Sequence, residues 1–506
     1  MNNIITPAAS RVESASFLQR YFRLMTPAAA AALGIFLITA LALFTPPYVG
    51  MADNGDYFRV AYGNGLYFND PEYGKQYFGY YVKQYGIFQY FNENPSMIMT
   101  SQSLFIQISV WLNKLLFSTQ VFDLRIQALL YLTLYTAAVY VLVEAATWRL
   151  ERIRGYLIAA LAVFIFGDTA YTAYFSSFYS ESVVLIMMVF LLASGLLLYR
   201  GRYNDYAMIA LFGTSGFLLT TSKQQHAPVG LLIAAVGVLF LMLRREWRFR
   251  AVTAAILVTV MAAGVASYVL IPQEYVYINQ YHAMMRGVLK DSPDPEKTLE
   301  SFGIDKQYAL LNKSIYYEPY PTIEADDPLL QKSFYPKYGF VSIALYYVKN
   351  PGQAVQMLNF AAKNAFTIRP EAMGNYERFA GKPAGTKTFF FSGYSIFKKA
   401  LSPKTAGFIV IWVILIIGLY APHFVSSYLR RDWRQLLRLP LMGLLILMGL
   451  SGIAVSVIGA GDADLAKHEF MFTAAFDLVL FVTLTDAIGR RLWAERETKA
   501  RRRGMS

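Results

Sequence analysis

Thr26-Pro-Ala-Ala-Ala-Ala-Ala-Leu-Gly-Ile-Phe-Leu-Ile-Thr-Ala-Leu-Ala-Leu-Phe-Thr45 carries no charge and ends on Pro46-Pro47. A bilayer core needs roughly 20 apolar residues in a helix, so this run reads as a membrane span that stops at the proline pair. Just past it stands Met51-Ala-Asp-Asn-Gly-Asp-Tyr-Phe-Arg59. Two acids, Asp53 and Asp56, an amide, Asn54, and a cation, Arg59, sit where the chain leaves the membrane. Gly55 lets the backbone bend sharply between the acids.

Composition agrees with the first reading. Of 506 residues, 56% are hydrophobic and 16% charged, whereas soluble domains sit near a quarter charged. There is no cysteine, so disulfides, thiolate metal sites and thiol catalysis are excluded. The net charge of +13 is mostly arginine near the ends of apolar segments. That pattern fits anionic headgroups and membrane lipids, and no basic, aromatic-interleaved face stands apart to bind nucleic acid.

Ten apolar segments can be read along the chain: Thr26–Thr45, Arg125–Ala146, Gly155–Tyr174, Glu181–Tyr199, Asp205–Thr221, Pro228–Leu243, Val252–Ile271, Thr405–Ser426, Leu439–Gly459 and Phe470–Ile488. Arginines test the count. They precede the first segment and follow the second, fourth, sixth, eighth and tenth. Every second connection is therefore arginine-rich, which predicts that both termini are cytoplasmic. The expected class is an all-α polytopic membrane protein. Its divisions are a transmembrane module over 1–271, an outer loop domain over 272–404, C-terminal transmembrane helices over 405–489 and a basic cytoplasmic tail over 490–506.

The remaining connections face outward and hold most of the ionisable groups. The first, 46–123, includes the amphipathic stretch Gln102–Phe117, which reads as a helix lying in the interface. Others carry Ser177-Phe-Tyr-Ser-Glu181, Ser222-Lys-Gln-Gln-His226 and Lys467-His-Glu-Phe470. Ionisable groups at membrane depth are costly and mark a site. Asp56, or else Asp53, is the expected general base. Lys223, His226, Lys467 and His468 suit a phosphate, while Asn54, Arg59, Glu181 and Gln224 complete the substrate contacts. Asp462-Ala-Asp464 suits a divalent cation or a solvated turn; no resident cofactor is required.

These motifs resemble the GT-C superfamily of membrane glycosyltransferases, and in particular the bacterial hexose transferases of cell-surface glycan assembly. The resemblance implies a long first outer loop with an essential acid near its start and a large outer loop after the seventh helix. It implies an outer-face site in a bacterial plasma membrane, a polyprenyl-phosphate-linked sugar as donor and a glycan or lipid-linked glycan as acceptor. Asp53-Asn-Gly-Asp56 departs from the adjacent Asp-Glu of protein mannosyltransferases, and no Trp-Trp-Asp signature of oligosaccharyltransferases is present. A polymerase or ligase with lipid-diphosphate donors, and a transporter or flippase, are the alternative readings.

Overall fold

The computed structural model describes residues 25–90, 100–463 and 465–492. Helix α1, Pro27–Phe44, starts where the Thr26 hydroxyl accepts from the Ala29 N–H and Pro27 occupies the first turn. The loop beyond it holds the short helix α2, Tyr57–Gly63, and helix α3, Ser101–Leu116. Then come α4, Leu124–Thr147, α5, Arg152–Phe166, α6, Glu181–Arg200, and α7, Asp205–Thr220. Helices α8, Ala227–Gly237, and α9, Trp247–Val269, form the next pair. A region of short helices follows, including α10, Gln273–His282, α11, Phe340–Lys349, α12, Pro351–Asn364, and α13, Gly393–Leu401. The chain re-enters the bundle as α14, Ala406–Leu429, α15, Arg438–Ala460, and α16, Phe470–Ile488.

Among the described residues, eight helices are long and apolar enough to cross a membrane. A ninth segment is the pair Arg152–Phe166 and Thr169–Phe175, bent by 49°. The bend falls at Gly167, and the Asp168 side chain caps the next turn by accepting from the Ala170 N–H. Helix α7 is apolar but shorter. Each of the ten predicted segments lands on one of these helices. Helix α6 is buried on nearly every side, as expected of a helix apolar all round its circumference, and packs against α4, α7, α15 and α16.

Arginines of the even-numbered connections gather at one end of the bundle. Arg434 and Arg244 hold Asp205 at 3.0 and 2.7 Å, Arg202 holds Glu144 at 3.2 Å, and Arg438 pairs with buried Asp486. The long loops occupy the other end. Helix α3 forms where an amphipathic helix was expected. It buries Phe105, Ile106 and Val110 and leaves Leu104, Ile108, Trp111 and Leu115 bare along one stripe.

One feature of the first loop was not anticipated. Strands β1, Leu66–Tyr67, β2, Gln84–Ile87, and β3, Val121–Asp123, make an antiparallel sheet in the order β1-β2-β3, with Leu66 opposite Ile87 and Tyr85 opposite Phe122. Strands this short show no readable alternation in sequence.

Helices α8 and α9 cross closely because both carry glycine at the contact. A Cβ on Gly264 would lie 2.6 Å from the Ala227 carbonyl oxygen. Gly264→Leu should therefore destabilise the protein by about 1–3 kcal/mol through overpacking. Gly418→Leu, at a position with open space around it, should leave the thermal midpoint in detergent unchanged. Equal midpoints for the two variants would refute the close crossing.

Candidate functional site

Two other loops hold the acid-bearing segment. The Gly50 N–H donates to the Asn375 carbonyl at 2.9 Å, Met51 N–H to Ser176 at 3.2 Å and Ala52 N–H to Gly374 at 3.0 Å. In return, Asn375 Nδ2 donates to the Gly50 carbonyl at 2.7 Å. The first, second and fourth outer connections of the sequence reading thus meet at one point. Gly55 has φ +99°, the left-handed region that a side chain resists, and this lets the chain turn into α2.

The two acids have different surroundings. Asp53 is buried. Its Oδ1 accepts from the Gly55 and Tyr57 N–H groups at 2.7 and 3.1 Å, and its Oδ2 accepts from the Tyr73 hydroxyl at 3.0 Å. It shapes the turn and does not line the cavity, which corrects the expectation that either acid could face a substrate. Burial pushes its carboxyl up from the usual range, against the pull of those hydrogen bonds. Asp56 does line the cavity. Its side chain is 43% exposed and accepts from Lys467, which is itself buried. Burial opposes ionisation of Asp56, but Lys467 foremost, then Arg59 and Lys223, hold its carboxyl well below the usual range.

The other expected contacts divide in the same way. Asn54 lines the cavity, and its N–H donates to the Tyr179 hydroxyl at 3.0 Å. Glu181 and Lys223 line it as a pair 3.7 Å apart, and Gln224 stands beside them. Lys467 also lies 5.3 Å from the centre of the Tyr179 ring. Arg59 sits between the rings of Tyr275 and Tyr317, at 5.3 and 5.4 Å, and donates to the Tyr317 hydroxyl at 2.7 Å.

Both histidines depart from the expected role. His226 is buried outside the cavity lining, with Ser222 Oγ 2.9 Å from Nδ1 and Gln225 Nε2 3.3 Å from Nε2. It positions the turn into α8. His468 lines the cavity, but burial and the nearby Lys223 and Lys467 push its pKa well down, so the ring is neutral at pH 7. Its Nδ1 lies 2.6 Å from Gln225 Oε1, an acceptor, so that nitrogen carries the proton. The neighbouring Glu469 is buried outside the cavity lining, and burial pushes its carboxyl well up.

The cavity has a volume of about 540 Å³. Its lining combines Asp56, Arg59, Glu181, Lys223 and Lys467 with the apolar side chains of Tyr268, Ile271, Pro228, Val455, Ile458 and Phe340. His282 also lines it, and burial together with Arg286 lowers its pKa to about 4. Three cations therefore face two carboxylates, an excess of one positive charge. Such a space can take an anion with an apolar tail, offers ring faces for stacking and puts a carboxylate beside the bound group. Tyr275, Tyr317, His282 and Gln102 belong to it and were not singled out from the sequence. The tyrosines lay in a region where tyrosine is common, and their only signal is that they meet Arg59 in space. Asp462 is held by Arg286 and Lys290, with Arg286 Nε at 2.6 Å. Asp464, the second acid of that Asp462-Ala-Asp464 turn, lies outside the described residues, among which no group of three histidine or carboxylate side chains gathers.

A family model described as the YfdI N-terminal transmembrane domain matches residues 12–504. The chain belongs to this family. Family membership makes it a membrane protein, in agreement with the helices. No curated protein and no solved structure matches it.

A pH dependence follows from Asp56. Its folded pKa lies below the ordinary value, so the stability from the Lys467 pair is fully present above the ordinary value and is lost progressively as pH falls from there through the lower folded pKa. Thermal midpoints should drop as the pH is lowered below about 4. Asp56→Asn should flatten that acid limb, while a limb as steep as the parent's would mean the pair contributes no stability.

Proposed function

We propose that the protein is an inverting glycosyltransferase that moves a sugar from a polyprenyl-phosphate donor to a glycan or lipid-linked glycan. The reading carries over the GT-C resemblance and places the reaction at the outer face of a bacterial plasma membrane, with both termini in the cytoplasm. The observation that supports it most is one cavity lined both by lysines with a carboxylate and by a set of apolar side chains.

In this mechanism the phosphodiester of the donor lies against Lys467 and Lys223. Its sugar lies against Tyr179 and Asn54, and its isoprenoid chain lies along the apolar side chains of the lining. The Asp56 carboxylate takes the proton of the acceptor hydroxyl as that oxygen attacks the anomeric carbon. The bond from that carbon to the phosphate oxygen breaks, and its electron pair leaves with the phosphate. Fixed ammonium groups stabilise the charge that develops there. Asp53 acts only through the turn it holds. A single excess positive charge matches a phosphodiester, which carries one negative charge, better than a diphosphate donor, which carries more.

Purified protein in lipid nanodiscs, given a polyprenyl-phosphate sugar and an acceptor glycan, should release polyprenyl monophosphate and an elongated glycan. Asp56→Asn should lower turnover about 10²- to 10⁴-fold, the usual range for loss of a general base. Full turnover by a folded Asp56→Asn protein would remove the base. Transmembrane movement of the lipid with no covalent product would replace the transferase with a transporter.

A further inference from the structure

Within the site the carboxylates hold the cations. Lys467 sits on Asp56, and Lys223 sits on Glu181 at 3.7 Å. Both pairs line the same cavity. A carboxylate held this way is a poor proton acceptor, because Lys467 stabilises the form that must take up the proton. Yet Asp56 is also the carboxylate best placed to act. Its side chain lines the cavity and is 43% exposed, whereas that of Lys467 is only 5% exposed and backed by the Tyr179 ring. An anion arriving in the cavity therefore competes with Asp56 for a lysine that is already in place.

We infer that Lys467 is a shared counter-ion, which leaves Asp56 for the carrier's phosphate when the donor enters, so that the base is unmasked only in the donor complex. This rests on the glycosyltransferase reading and adds an order to it: donor first, acceptor deprotonation second. The charges of the step fit. When the acceptor oxygen bonds to the anomeric carbon, its proton neutralises Asp56. The broken bond leaves its electron pair on the phosphate, which goes from one negative charge to two. Negative charge thus passes from Asp56 to the phosphate, and Lys467 reaches towards both. As a positioning residue it sets when Asp56 can work, and it holds the leaving group afterwards.

The test is binding of a short-chain polyprenyl monophosphate, measured by calorimetry in nanodiscs, to the full-length protein and to Asp56→Asn, Lys467→Met and the double variant. Competition predicts that Asp56→Asn binds the lipid roughly three- to tenfold more tightly than the parent, a coupling typical of contacting groups. Lys467→Met should bind more weakly, and adding Asp56→Asn to it should bring no gain. Tightening that persists without Lys467 would mean direct repulsion between Asp56 and phosphate, and overturns the inference. Unchanged or weaker binding by Asp56→Asn overturns it as well. Absence of binding by the parent protein and by every variant would instead sink the glycosyltransferase reading beneath it. Lys467→Gln serves should Lys467→Met fail to fold.

Discussion

The ion pair between Asp56 and Lys467 joins residues 411 apart in the chain. One lies just after the first helix and the other just before the last. Charges taken out of water are expensive unless paired with good geometry, and removing one partner leaves the other uncompensated. The pair therefore fixes where the first loop stands over the end of α16. Lys223 and Glu181 repeat the arrangement between the turn before α8 and the start of α6. Together they draw four distant parts of the chain to one cavity.

Those pairs work only because the loops around them are themselves tied to the bundle. Buried Lys398 on α13 reaches Asp477 on α16 at 2.7 Å, and the hydroxyl of Tyr394 donates to the same carboxylate at 2.6 Å, with Tyr171 also bonded to it. One turn away, the Ser395 N–H and hydroxyl donate to Asp168 at 2.8 and 2.9 Å. The end of the large loop is thus bolted between two membrane segments. From that anchor the chain segment around Asn375 pairs with Gly50 and holds the acid-bearing turn. Polar groups inside the bundle here serve to place a loop, and the loop in turn places the site.

Much of this was legible because membrane physics writes large signals. Uncharged runs gave the helices, and arginine alternation gave their common end, where Asp205, Glu144 and Asp486 now pair with those arginines. The loops whose ionisable groups lie at membrane depth proved to meet, since Asn54, Asp56, Glu181, Lys223 and Lys467 line one space. What sequence could not convey was direction. Asp53 and Asp56 differ by three positions, and nothing local says that one turns inward to backbone N–H groups and the other out to a lysine. Nor does it reveal that Gln225 claims the proton of His468, or that Tyr275 and Tyr317 close over Arg59. These are contacts between residues far apart in the chain, and no periodicity encodes them.

The division between the two acids is itself informative. Asp56 occupies the position before the first turn of α2, where an aspartate ordinarily accepts from the free N–H groups of the helix. It makes no such bond. Asp53, four residues before Tyr57, accepts from the Tyr57 N–H that opens the helix. Asp53 closes the turn from within, while the Asp56 carboxylate makes no capping bond and lines the cavity at the start of the helix. Local rules are broken most often where a protein acts, and the loss is made good nearby. Here the compensation is visible in a single turn: Gly55 supplies the bend, Asp53 closes it, and Asp56 is left to face Lys467.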